Sequence, residues 1–283
     1  MSRHRGDTFV SVDSHQHFWL RERGDYTWLT SELSEIYQDF LPEHLRSILL
    51  RNHIHKTVLV QAAETDAETD FLLSIADNNN FVAAVVGWVD FASAGASARL
   101  ECLSQQPVFK GVRPMLQSIP DAAWMLRPEF DEQYQLLAKL ELSFDALVTP
   151  RHLRYLYTLA RRHPTLKIVI DHGAKPDLTG ADVSVWRRDI ATLATCDNVF
   201  CKLSGLLTEA GPNPDFKSVT PALEHLLQCF GPTRLMWGSD WPVINLAGSY
   251  DAWVKDCRSY LASLSDEEQA WIWGRTAQYF YGL

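Results

Sequence analysis

Two histidines stand one residue apart in the run Val10-Ser11-Val12-Asp13-Ser14-His15-Gln16-His17, which reads as a short apolar strand with a polar end. Side chains alternate faces along a strand, so residues i and i+2 share one, and His15 and His17 are expected to point at the same spot. Two converging neutral imidazoles suit a divalent cation, and a third imidazole with a carboxylate completes a zinc-like donor set. His172, in Asp171-His172-Gly173, and Asp240, in Gly238-Ser239-Asp240-Trp241-Pro242, supply those types far along the chain. Such a set activates water: the metal lowers the pKa of a bound water, and a carboxylate beside it takes the proton. Each residue alone has a plainer reading, a core histidine for His172 and an Asx turn before Pro242 for Asp240. Their joint occurrence at the ends of apolar runs favours a site.

Bringing four such residues together requires a fold that gathers strand ends. Eight short β-branched runs, at 9–13, 56–61, 81–89, 108–113, 142–148, 167–171, 199–203 and 234–237, alternate with helical patterns at 41–51, 66–78, 94–103, 127–140, 150–162, 185–194, 220–230 and 250–263. A further helix over 266–279 begins at Ser265, and Glu268 completes a capping-box pattern there. Pro150 and Pro221 stand where helices are expected to begin. Strand–helix alternation predicts the α/β class with a parallel sheet, and eight units predict a closed (β/α)8 TIM barrel with an extra C-terminal helix. A chain of 283 residues fits one such domain over 1–283, since about 250 is typical. The competing doubly wound open sheet would display a Gly-rich phosphate turn after an early strand, and none is present.

In a barrel the C-terminal strand ends share one face, and the active site lies there. Nearly every expected strand here ends with a polar group, among them Gln61, Arg113 and Asp145 as well as the four residues above. Arg113 carries a fixed charge and a fork of donors suited to a carboxylate or a polarised carbonyl. The long segment 18–40 after the first strand holds Trp19, Tyr26, Trp28 and Tyr37, and reads either as a lid or as a packed aromatic plug. Gln61, Tyr26, Trp28, Trp88 and Trp241 are the substrate-binding candidates, the aromatic ones as apolar walls or rings for stacking on a sugar. Strand alternation leaves open whether Lys202 faces the barrel interior or the helices.

Composition bounds the partners. The formal net charge of −9 argues against nucleic acid and an anionic membrane, and leaves a small-molecule substrate. Five cysteines, an odd number with no CxxC, fit reduced thiols in a reducing compartment. The N-terminus has no long apolar segment of a signal peptide, and no run of about 18 uncharged apolar residues occurs, so the cytoplasm is the expected location. A homo-oligomer is compatible with everything above. GxSxG, HExxH, Walker A and Rossmann fingerprints are all absent.

Taken together, the motifs resemble the amidohydrolase-2 branch of the amidohydrolase superfamily, and within it the sugar-acid lactonases. The resemblance runs through Asp13-Ser14-His15-Gln16-His17-Phe18-Trp19, Gly24-Asp25-Tyr26-Thr27-Trp28-Leu29, Phe109-Lys110-Gly111-Val112-Arg113, Asp171-His172-Gly173-Ala174-Lys175-Pro176, Cys201-Lys202-Leu203-Ser204-Gly205-Leu206 and Gly238-Ser239-Asp240-Trp241-Pro242. It implies a distorted TIM barrel that hydrolyses an aldonolactone such as L-fucono- or L-rhamnonolactone. It implies that His15, His17, His172 and Asp240 surround a metal or the reacting water, with Asp240 as general base and Arg113 and His172 assisting. The chain departs from the two-metal members: strand four lacks a clear bridging lysine or glutamate, and strand five ends in Asp145 rather than histidine. The resemblance therefore implies one divalent cation, zinc foremost, or catalysis without metal. Two rivals share the branch, a metal-dependent non-oxidative decarboxylase and a lactonase for a dicarboxylate ring. The latter substrate needs several arginines, and only Arg113 and Arg127 stand near strand ends. A barrel that binds without catalysis is the third rival.

Overall fold

A computed structural model describes residues 9–283. Strands β1 (Val12–Gln16), β2 (Lys56–Val60), β3 (Val82–Gly87), β4 (Phe109–Val112), β5 (Ser143–Ala146), β6 (Lys167–Ile170), β7 (Val199–Leu203) and β8 (Leu235–Trp237) pair in parallel, in chain order. Helices α1 (Pro42–Arg51), α2 (Asp66–Asp77), α3 (Ala96–Ser104), α4 (Asp131–Lys139), α5 (Leu153–Arg162), α6 (Ser184–Leu193), α7 (Phe216–Phe230) and α8 (Tyr250–Leu261) cover the outside, and α9 (Asp266–Ala270) and α10 (Thr276–Tyr281) follow. This is the (β/α)8 barrel, nearly closed. The helices form for local reasons. In α5 the buried Leu153, Leu156, Leu159 and Ala160 recur at three- and four-residue spacing, and α2 starts where the Thr65 hydroxyl accepts the Glu68 N–H.

Strand alternation splits the apolar residues into two layers. Val58 and Val60 of β2, Ala84 and Val86 of β3, Val169 of β6, Phe200 of β7 and Met236 of β8 fill the interior with Val12. Their neighbours Leu59, Val85, Ile168, Cys201 and Leu235 face the helices. Ala277, Phe280 and Tyr281 of α10 join the inner cluster, so this helix stoppers the lumen at the end away from the strand C-termini.

β1 and β8 do not pair along a ladder. The barrel closes through one parallel bridge, in which the His17 N–H donates to the Trp241 carbonyl at 2.7 Å, while the Asp240 N–H donates to the His15 carbonyl at 2.8 Å. The backbone seam of the barrel thus joins the strand carrying the histidine pair to the turn carrying the carboxylate.

Several boundaries depart from the sequence-based expectation: β1 lies three residues later, at Val12–Gln16 instead of 9–13, and α4 and α5 begin at Asp131 and Leu153 rather than at 127 and Pro150. Helix α7 starts at Phe216, where the Asp215 side chain accepts the Lys217 N–H, so Pro221 lies inside the helix rather than at its start. The expected helix over 266–279 is broken by a wide turn at Trp271–Arg275. There Gly274 lies against the Val10 carbonyl so closely that any Cβ would overlap it, and the regular helix gives way to that contact. Segment 18–40 is packed at its base and borders the cavity with Asp25, Thr27 and Trp28. Trp19 and Phe40 exchange backbone hydrogen bonds of 2.9 and 3.0 Å at its base, and Trp19 is fully buried with its indole N–H on the Gln38 carbonyl.

Candidate active site

The site is built by a change of phase in β1. Val12 packs in the barrel interior, and strict alternation would send His15 outward. The β1–β2 register shifts between Asp13 and Gln16, and His15 and His17 both turn inward above Val12. Asp13 then faces β8, where its carboxylate accepts from the Ser239 N–H at 2.8 Å and the Tyr250 hydroxyl at 3.1 Å. Burial pushes the Asp13 carboxyl up to about 6, against the pull of these hydrogen bonds.

His15 and His17 meet nitrogen to nitrogen, Nε2 to Nε2 at 3.1 Å. The His17 Nδ1–H donates to the Val60 carbonyl at 2.8 Å, which leaves the Nε2 lone pair aimed at the cavity. Asp240 Oδ1 stands 3.3 Å from His17 Nε2, 3.7 Å from His15 Nε2 and 3.9 Å from His172 Nε2. All four side chains are at least 95 % buried. His172 reaches inward because residues 172–175 form a left-handed turn, with φ of 54°, 56°, 65° and 50°, the disfavoured hand for three of the four. Its Nδ1 is 2.9 Å from the Ser204 hydroxyl. Asp240 likewise has φ 58°, a strained backbone held by the seam.

Burial alone would push the Asp240 carboxyl up. The contacts with His172, His17 and His15 outweigh it and hold the group well below the usual carboxylate range, so it is ionised at neutral pH. Burial pushes His172 down to about 4 despite Asp240 and Asp171, so it is neutral there. His15 is also driven well below its ordinary value, chiefly by burial.

The donor atoms fit one small cation. His15, His17 and Asp240 offer atoms that all lie within 4.8 Å of one another. Separations of 3.1 and 3.3 Å are those of atoms sharing an ion with bonds of about 2.0–2.2 Å. His172 stands outside this triad and groups instead with His15 and Asp171. The four residues expected to form one donor set are thus neighbours divided between two overlapping groups.

Beneath the imidazoles lies a layer of buried charge that the sequence reading missed. Lys202 faces inward and is fully buried, its Nζ 2.6 Å from Asp145 Oδ2, 3.0 Å from Asp171 Oδ1 and 3.2 Å from His15 Nδ1. Arg113 NH1 is 3.3 Å from Asp171 Oδ2 and 3.4 Å from His15 Nε2. Arg113 NH2 donates to the Gln61 carbonyl, and the Gln61 amide returns a hydrogen bond of 2.6 Å to the Arg113 carbonyl. Burial would raise the Asp171 carboxyl, but Lys202, His15 and Arg113 hold it well below its ordinary value. The signal available in the sequence was the phase of β7: Phe200 is an inward residue, and Lys202 is two further on.

A cavity of about 390 Å³ opens above these groups and includes His17, Arg113, His172 and Asp240 in its wall. Of the aromatic candidates Trp28 lines it, anchored by an indole hydrogen bond of 2.7 Å to the Ala62 carbonyl. The other four expected substrate contacts are not among its walls. Gln61 is fully buried and braces Arg113. Trp241 packs edge-on against Phe18 and Phe40, with ring centroids 5.9 and 5.1 Å apart. Tyr26 is buried against Trp19, and the backbone of Trp88 is tied to the Thr69 hydroxyl. Arg127 lies on the surface beside Asp121, away from the cavity. The polar wall is made instead by Asp25, Thr27, Glu64 and the Lys175–Glu209 ion pair. Glu68, buried beneath, accepts the N–H groups of Ala62 and Ala63 at 2.8 Å each and fixes the loop after β2, and burial pushes its carboxyl up to about 8.

Gly205, with φ +61°, borders both His172 and Asp240. A Cβ there would overlap the His172 ring and come within 3.0 Å of Asp240 Oδ2. Gly205→Ala is therefore expected to lower kcat by about 100-fold, the scale of a 1 Å misplacement, while the folded fraction by circular dichroism stays near wild type. Unchanged turnover would show that the two side chains have slack.

Among the described residues no helix is long and apolar enough to cross a membrane. The family model described as amidohydrolase matches residues 12–283. An L-fucono-1,5-lactonase from Burkholderia ambifaria is 44% identical over 96% of this chain and 95% of its own length. A second L-fucono-1,5-lactonase, from Burkholderia multivorans, is 34% identical over 97% and 96%. The crystal structure of an amidohydrolase from Burkholderia multivorans with bound zinc superposes with a TM-score of 0.92 at 34% identity, covering 97% of this chain and 99% of that one.

Proposed function

The chain belongs to the amidohydrolase family, and we propose from that membership and from its cavity that it is a lactonase, a hydrolase that opens small sugar-acid lactones such as L-fucono-1,5-lactone with an activated water. The observation that carries this reading is the Asp240 carboxyl oxygen within 3.3–3.9 Å of three imidazole nitrogens at the wall of one cavity. The lactonase names of the relatives at 44% and 34% identity rank it above decarboxylation.

Asp240 acts as the general base. Its carboxylate takes a proton from water as the water oxygen adds to the lactone carbonyl. Negative charge then gathers on the former carbonyl oxygen, and Arg113 places a fixed guanidinium at the cavity wall to stabilise it. When the ring C–O bond breaks, the proton on Asp240 returns to the departing ring oxygen, giving the open hydroxy acid. His172 stays neutral and, with its Nδ1 engaged by Ser204, keeps Nε2 turned toward Asp240. A solved relative at 34% identity holds zinc, and here His15, His17 and Asp240 would hold such an ion, which would supply Lewis-acid polarisation of the carbonyl and a water of lowered pKa. Trp28 forms an apolar wall for the ring, and Asp25, Glu64 and the Lys175–Glu209 pair meet its hydroxyls. We read the chain as one barrel unit in the cytoplasm, working on a free small molecule without nucleic acid or membrane, as a monomer or a homo-oligomer.

A panel of aldonolactones assayed by acid release, with and without chelator, tests the reading. Turnover of L-fucono-1,5-lactone with kcat/KM of at least about 10⁴ M⁻¹s⁻¹ supports it. Silence across the panel, with or without added zinc, overturns it. kcat is expected to hold level from pH 8 to about pH 5 and to fall below that as His172, with its pKa near 4, gains a proton. A limb centred near pH 7 in saturating substrate would assign the controlling ionisation elsewhere.

A further inference from the structure

Lys202 takes no part in the chemistry above, yet it occupies the centre of the barrel. We propose that Lys202 is a positioning residue that sets which nitrogen of His15 carries the proton: with the metal absent its ammonium donates to His15 Nδ1, so that the proton sits on Nε2, facing His17. This inference deepens the site reading and rests on His15 and His17 being the working imidazole pair.

Two placements of the His15 proton satisfy the neighbours: Nδ1–H on Asp171 Oδ1 at 3.3 Å with Nε2 accepting from Arg113 NH1 at 3.4 Å, or the reverse, and the shorter contacts favour the reverse. The Val60 carbonyl can only accept, so His17 carries its proton on Nδ1 and presents a bare Nε2. With no ion between them, His15 Nε2, 3.1 Å away, donates across that contact in this arrangement. A neutral His15 with its proton on Nε2 has a lone pair on Nδ1, and the group 3.2 Å from that lone pair is the Lys202 ammonium, a pure donor. The chain of donors runs from Lys202 to His15, to His17, to the Val60 carbonyl.

The ammonium is fixed from below. Asp145 Oδ2 accepts from Lys202 at 2.6 Å and from the Tyr281 hydroxyl at 2.6 Å, and Asp145 Oδ1 accepts from the Ser143 hydroxyl at 2.7 Å. Tyr281 arrives on α10, the helix that stoppers the barrel. Asp171 Oδ1 lies 3.3 Å from His15 Nδ1 and is the acceptor waiting for the opposite tautomer. Binding an ion through His15 Nε2 requires that tautomer: the proton moves to Nδ1, the Lys202 hydrogen bond is given up, and Asp171 accepts. Lys202 and Asp171 are the two contacts between which the His15 ring chooses.

The test needs no ion at its first step. In metal-free wild-type protein labelled with ¹⁵N-histidine, long-range proton–nitrogen correlation is expected to show His15 bare at Nδ1 and protonated at Nε2, with His17 the reverse. The His15 signals are identified by ring contacts to His17 and His172, whose centroids are 4.8 and 4.5 Å away. Adding zinc should move the His15 proton to Nδ1. Lys202→Met should do the same without zinc, and should tighten zinc at least about tenfold in competition with a chromophoric chelator, the usual scale for a supporting contact to a ligand. If Lys202→Met does not fold, Tyr281→Phe removes one hold on Asp145 and is read by the same spectrum, where a mixture of His15 tautomers is expected. A metal-free wild type with His15 protonated at Nδ1 overturns the proposal, and so does a wild-type His15 spectrum in the variant that folds. Lactone turnover enters none of these readings, so failure here is distinguishable from failure of the proposed activity.

Discussion

Asp240→Asn is expected to reduce kcat by about three orders of magnitude or more, with KM for the lactone changed only a few-fold. Asparagine keeps the shape and the N–H that bonds the His15 carbonyl at 2.8 Å, so the barrel seam survives. What disappears is an acceptor for the water proton and a full negative charge facing three imidazoles at 3.3–3.9 Å. General acid–base catalysis accounts for about 10²–10⁴ by itself, and loss of the charge that organises the imidazoles adds to it. Single-turnover measurement of lactone opening separates this from a loss of binding. A variant turning over within tenfold of wild type would remove Asp240 from the role of base.

Asp171→Asn is expected to be the most damaging change to stability at the site, at about 3–5 kcal/mol in urea unfolding, the usual cost of breaking a buried ion pair. Asp171 is fully buried and faces Lys202 at 3.0 Å and Arg113 at 3.3 Å. Two buried cations lose their shared partner when it is neutralised. The pH dependence has a definite sign. Burial would raise this carboxyl, but Lys202, His15 and Arg113 hold it well below its ordinary value of 3.8, so its contribution is fully present above about pH 4 and is lost as pH falls further. The stability gap between wild type and variant should therefore persist from pH 8 to about pH 5 and narrow only in more acid solution. A gap that closed already near pH 6 would place the ionisation on another group.

The alternation of runs and helices makes the barrel legible in the sequence, because a fully covered parallel sheet writes β-branched runs at regular intervals. The site was legible as residue types at strand ends. What escaped was what depends on phase and on long-range burial. Lys202 and Asp145 are ordinary charged residues in the sequence, and only their inward register against Phe200 and Val169 reveals a charged layer. Tyr281 lies 136 residues from its partner Asp145, beyond the reach of any local pattern. Of the aromatic candidates, Trp28 lines the cavity and Tyr26, Trp88 and Trp241 stand outside its walls. Trp241 and Tyr26 are in the right turn and the right loop, but large apolar rings near a barrel mouth lower their free energy by packing on each other rather than by lining a wet cavity.

The junction between β1 and the turn after β8 has a thermal consequence. A regular ladder would hold these edges with several cross-strand bonds; here two backbone bonds of 2.7 and 2.8 Å at His17 and Asp240, with the Ser239 N–H on the Asp13 carboxylate at 2.8 Å, carry the joint. Warming that loosens this joint separates base from imidazoles while the aliphatic interior and the outer helices remain intact. Heating is then expected to cost activity ahead of the unfolding transition seen by circular dichroism, because the joint opens before the rest of the barrel.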